Sequence, residues 1–77
     1  MNVNQFIELL VNKGINPDIV CFNDTIKDDV FCVMEQYHFV EVFYRERGRA
    51  FDLKKFKTQS EALLYLAEKI LRISGKM

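Results

Sequence analysis

One histidine, one proline, three glycines and two cysteines are all that 77 residues hold of those types, and the formal charge sums to zero. Each scarcity removes a class of function. Three scattered glycines build neither a P-loop nor a dinucleotide fingerprint, because both need glycines at short fixed spacings. The lone His38 has no second histidine, positioned cysteine or elbow serine to complete an acid–base or nucleophilic set. Its plainer reading is a surface histidine at a turn. Cys21 and Cys32 with His38 are too few ligands, at the wrong spacings, for a zinc site. One cysteine pair is also not the framework of a stapled secreted domain. Both cysteines sit in apolar runs, "DIVCF" and "VFCVM", and read as reduced, buried small hydrophobes. A bridge is open to them only if their strands pair. No run is long and apolar enough to span a membrane. The opening "MNVNQFIELLVNKG" has neither the positive region nor the small-residue cleavage site of a signal peptide. The expectation is a cytoplasmic protein that is not an enzyme and holds no metal or cofactor.

What is present is core material. Hydrophobic residues make up 49% of the chain and aromatics 13%, enough to fold without a metal or disulfides. A second domain would lack a core of its own, so residues 1–77 read as a single domain. A core this small is marginal, which leaves homodimerisation or pairing with a partner open.

Val3, Phe6, Ile7, Leu10 and Val11 follow one helical face. Asn2 or Asn4 can cap that helix, and Gly14 with Ile15 suits a Schellman ending, so the first helix spans about 3–13. "IVCF" (19–22) reads as a short edge strand and "NDTIKDD" (23–29) as an acidic loop. Strands follow at 30–36, 38–46 and 49–56, the last two joined by "ERG", where Gly48 can take the positive φ of a short hairpin. "TQSE" (58–61) is a capping box in which Thr58 and Glu61 satisfy each other's backbone, and it opens a helix through Ile73. The order α-β-β-β(-β)-α predicts an α+β fold. Its sheet is antiparallel, of three or four strands, with both terminal helices packed on one face. Phe6, Leu10, Val33, Val40, Val42, Leu53, Leu63, Leu66 and Ile70 are the expected core. An open sheet face should read polar. Here Phe39 and Phe43 would be exposed on the second face, which points to a partner, a dimer or a different register.

Charge is unevenly spread. Residues 1–42 carry two cations against seven anions, and residues 43–77 nine cations against four anions. Asp24, Asp28 and Asp29 lack the alternating ligands and central glycine of a calcium loop. They read as a solvated acidic loop or an acidic docking surface. The densest feature is "FYRERGRAF" (43–51). Its Arg45, Arg47 and Arg49 join Lys54, Lys55 and Lys57 in one basic hairpin over 45–57. Arginine forks suit carboxylates and phosphates alike, whereas a charged tip also guards a hairpin against edge pairing.

Two resemblances follow from these segments. The α-β-β-β-α order resembles the double-stranded-RNA-binding domain. That family carries a basic cluster at the start of its second helix, where this chain reads "TQSEA". "IELLVNKGINPD", the "YRERG" hairpin, "LKKFKTQSEA" and "YLAEKIL" resemble small bacterial immunity proteins of polymorphic toxin systems. That resemblance implies a cytoplasmic single-domain binder that neutralises a cognate toxin domain. Phe43, Tyr44, Arg45, Arg47 and Arg49, with Asp24, Asp28 and Asp29, are the expected partner-binding residues, since aromatics and arginines dominate interface hot spots. The alternative is a nucleic-acid-binding regulatory domain using Arg45, Arg47, Arg49, Lys54 and Lys55.

Overall fold

Helix α1 (Val3–Asn12) begins where Asn2 accepts the Gln5 N–H at 2.8 Å and Gln5 returns a bond to the Asn2 N–H at 2.9 Å. It ends in a Schellman motif: the Gly14 N–H reaches the Val11 carbonyl, and the Ile15 N–H reaches Leu10 at 2.9 Å. Gly14 has φ +73°, which a β-carbon would oppose. A 3-10 turn (Pro17–Ile19) leads into β1 (Val20–Phe22). Strands β2 (Val30–Glu35), β3 (Val40–Glu46) and β4 (Arg49–Phe56) follow, then α2 (Gln59–Ile73). At the start of α2, Thr58 accepts the Glu61 N–H at 3.2 Å. Only this half of the expected capping box forms among the described residues. The structure is a computed structural model that describes residues 1–76.

The α+β order is as the sequence predicts, with four strands in the order β1-β2-β3-β4. The sheet is mixed, not antiparallel. β1 runs parallel to β2, while β2–β3 and β3–β4 are antiparallel. Parallel neighbours usually need a long crossover. Here three-residue β1 asks for a return of only about 10 Å at ~3.3 Å per residue, within reach of the seven-residue loop. Asn23 (φ 55°) turns the chain out of β1, and Asp29 (φ 60°) turns it into β2. Asn and Asp tolerate this left-handed region better than other side chains. Asn23 also clips the exit to β2, donating its N–H to Val33 and accepting the Glu35 N–H, both at 2.8 Å.

Both helices pack on one sheet face. Phe6 and Leu10 from α1 and Leu63, Leu66, Ala67 and Ile70 from α2 meet Val20, Val33, Val40 and Val42 there. A second cluster of Cys21, Val30, Cys32 and Phe43 occupies the opposite face. Met34 packs beside it, partly buried. This corrects the expectation that Phe43 lies open: it is only 9% exposed. Phe43 is therefore packed within the chain, against Cys21, Val30 and Cys32.

Leu53 is also not core, being 43% exposed. Val42 pairs with Lys54 and Tyr44 with Phe51, so Asp52 and Leu53 together stand opposite Phe43. This is a β-bulge, with Asp52 at φ 55°. It returns Phe51 to the helix side and leaves Leu53 facing away from the helices on an edge strand. Cys21 and Cys32 are register partners with free, buried thiols. Burial, and then the neighbouring Cys21, push the Cys32 thiol above its ordinary value, which makes it a poor nucleophile at neutral pH.

Candidate functional site

The β3–β4 turn is Glu46-Arg47-Gly48-Arg49. Arg47 (φ 51°) and Gly48 (φ 75°) are both left-handed, the signature of a type I′ turn, whose twist matches the strands it joins. Asparagine is the favoured residue ahead of such a glycine, so Arg47 holds its place against local preference. Arg47→Asn should raise stability by about 0.5–1 kcal/mol, read from the guanidinium unfolding midpoint. A fall would reveal a stabilising contact made by the arginine.

The acidic loop and the basic hairpin look like separate surfaces in the sequence, and the fold joins them. One carboxylate oxygen of Asp28 accepts both the Gly48 N–H and the Arg45 Nε at 3.0 Å. The Asp29 N–H donates to the Arg45 carbonyl at 2.7 Å. Asp28 and Arg45 thus staple the loop to the hairpin. The Gly48 N–H, followed by the hydrogen bond and charge of Arg45, holds the Asp28 carboxyl below the ordinary aspartate value. A lowered folded-state pKa stabilises the fold above the unfolded value of about 4, and the benefit is lost as pH falls through the lowered value. Asp28→Ala should therefore lower Tm at pH ~7, with the gap to the parent closing as pH drops below ~4. Thermal melts across that range check this; a gap independent of pH would mean that charge is not the cause.

The remaining expected residues divide. Asp24 accepts the Ile26 N–H at 2.8 Å, an Asx-type turn within the loop. Phe43 is buried with Cys21, Val30 and Cys32, while Arg47 and Arg49 are exposed at the tip. Arg49 stands directly opposite Glu46. The basic residues do not gather on one face. Lys54 is paired in register with helix-facing Val42, so its neighbour Lys55 points the other way. Lys55 sits over the Phe39 ring at 4.7 Å.

Tyr44 faces the helix side and opens onto a groove of about 460 Å³. Ile19, Phe31, Tyr44, Phe51 and Ile73 form its apolar surface. The Phe31 and Tyr44 rings meet edge to face, 5.0 Å between centroids. Asp29, Glu46, Asp52 and Lys69 complete the lining. Lys69 pairs with Asp52 at 3.5 Å. A recess of about 470 Å³ adjoins the groove at Glu46 and Phe51 and continues onto Arg47 and Arg49. The groove escapes a reading of the sequence because five separate segments build it. Its one trace there is Phe51, whose direction depends on the unforeseen bulge.

β4 is the outer strand beyond these features. Seven of its eight residues, Arg49 to Lys55, are exposed, and Phe51 is 46% exposed. Its outer edge has no neighbouring strand. Among the described residues no group of three or more His, Cys, Asp or Glu side chains is placed to hold a metal ion. None of the described helices is long and apolar enough to cross a membrane. No family model, curated protein or solved structure matches the chain.

Proposed function

We propose that the chain is a non-enzymatic protein-binding module that docks through the outer edge of β4 and the hairpin tip beside it. The observation that carries this reading is the eight-residue edge strand, exposed along nearly its whole length and bearing Phe51 and Leu53. An edge of that length offers a row of backbone donors and acceptors to an incoming strand, and its alternate side chains supply selectivity. Within the strand Arg49, Lys54 and Lys55 outnumber Asp52, which suits a partner strand flanked by carboxylates. The same lysines, with the bulge at Asp52, discourage indiscriminate self-pairing.

Within that class, the segments "YRERG", "LKKFKTQSEA" and "YLAEKIL" favour a bacterial immunity protein that neutralises a cognate toxin domain in the cytoplasm. The nucleic-acid alternative loses ground on geometry. Arg45 is committed to Asp28, and Lys54 and Lys55 point to opposite faces. A phosphate backbone needs its cations along one track.

The test is capture from nuclease-treated lysate of the source organism, using the tagged chain and two variants. Phe51→Ser with Leu53→Ser should abolish retention of one stoichiometric protein. Leu64→Ser, on an exposed helical position, should leave it bound. Co-expression of that protein with and without the chain then reads out toxicity and its relief. Recovery of nucleic acid from untreated lysate, with no protein lost on the β4 variant, would sink the proposal. A β4-dependent homodimer by light scattering, with no other partner, would replace the toxin with a second copy.

A further inference from the structure

The groove beside Tyr44 has a chemistry that β4 docking does not use. Its walls are aromatic and aliphatic: Phe31, Tyr44 and Phe51 with Ile19 and Ile73. Its exposed margin is acidic. Of the three carboxylates there, Asp52 is neutralised by Lys69. Asp29 and Glu46 form no ion pair among the described residues, and Arg49 stands opposite Glu46 in the hairpin register. Both carboxylates lie close enough to Tyr44 to oppose ionisation of its phenol, an effect second to that of the phenol's own desolvation. An apolar recess with aromatic faces and two carboxylates free of ion pairs is complementary to a cation on an apolar stem.

We propose that this groove is a binding site for an arginine side chain presented by a peptide. Guanidinium is planar and weakly hydrated, so it lies on aromatic faces with little desolvation cost and forks onto carboxylates. A lysine ammonium is a compact, strongly hydrated charge and gives up more to enter the same apolar recess. The volume exceeds the needs of one side chain and falls within the range of ligand pockets. The residues flanking the arginine therefore also find room against Ile19 and Ile73. The site shares Phe51 with β4 but turns on Asp29, Tyr44 and Glu46, which edge docking does not need, so the peptide titration and the partner capture test the two readings separately.

The probe is acetyl-Leu-Arg-Leu-amide, titrated at low salt into the isotope-labelled full chain, with backbone amide shifts as readout. Its citrulline and lysine counterparts are compared. Citrulline keeps the shape of arginine and removes the charge. The amides of Phe31, Tyr44 and Phe51 should move saturably with the arginine peptide, and the citrulline and lysine peptides should bind about tenfold or more weakly. Asp29→Asn with Glu46→Gln should weaken the arginine peptide by a similar factor and leave citrulline unchanged. Asparagine tolerates the left-handed backbone at position 29, and the peptide comparison uses the unaltered protein in any case. Equal affinity for arginine and citrulline would overturn the proposal, as would lysine binding as tightly as arginine, or no groove shifts at millimolar peptide. Groove shifts without a β4-dependent partner would defeat only the docking reading. A β4-dependent partner without groove shifts would defeat only this one.

Discussion

Phe6→Ala is expected to remove about 3–5 kcal/mol of stability, out of a total of about 4–12 kcal/mol for a chain of this length. Phe6 is 0% exposed. It stands where α1 meets the sheet, and its ring meets Phe22 edge to face at 6.1 Å. Truncation opens a cavity among side chains from both helices and three strands, which cannot all close in on it. The loss adds a cavity term to the lost transfer energy. Because β1 is only three residues long, its place in the sheet depends on that contact. Guanidinium unfolding followed by far-UV circular dichroism measures the effect. A loss below ~1 kcal/mol would mean that the site collapses freely and that α1 is not held through this ring.

The second large effect concerns binding, not folding. Phe51→Ala should weaken the captured partner by about 30-fold or more, the ~2 kcal/mol of an aromatic hot spot. Stability should change by less than ~1 kcal/mol. The difference follows from position. Phe51 is nearly half exposed on the outer strand, so the free fold gains little from it. It also lines both the groove and the recess at the hairpin tip, where a partner would bury it. Calorimetric titration beside a thermal melt separates the two quantities. An unchanged affinity would remove Phe51 from the interface, and a melt lowered by several kcal/mol would make it a core residue.

Much of the architecture was legible because its signals are local. Asn2, Gly14 and Thr58 act within one turn of chain, and they mark helix ends that the structure reproduces within a residue. The apolar faces of α1 and α2 follow from helical spacing alone, and Phe6, Leu10, Leu63, Leu66 and Ile70 are all buried. Strand direction was not legible. Parallel β1 depends on two non-glycine residues, Asn23 and Asp29, adopting a left-handed backbone, and nothing in residue type obliges them to do so. Nor does residue type show that Phe43 joins Cys21, Val30 and Cys32 in a buried cluster. Leu53 leaves the core for a similar reason: a bulge at Asp52 obeys no periodicity.

The candidate site divides along the same line. Arg47 and Arg49 were readable as a charged tip because Gly48 demands a turn there. That Asp28 would bind Arg45 and the Gly48 N–H, joining the acidic and basic segments, was not readable. These residues are 17 and 20 positions apart. The groove is more remote still, assembled from five segments.

By itself the sequence determined the element order, the helix boundaries and the helix-facing core. Hydrogen bonds within a turn and burial of a periodic face are short-range demands that residue type states directly. Only the tertiary structure decided the direction of β1, the burial of Phe43 on the second sheet face, the exposure of β4 and the acidic aromatic groove. Those depend on which distant segments meet, and that is settled by competition among long-range contacts that no local pattern encodes.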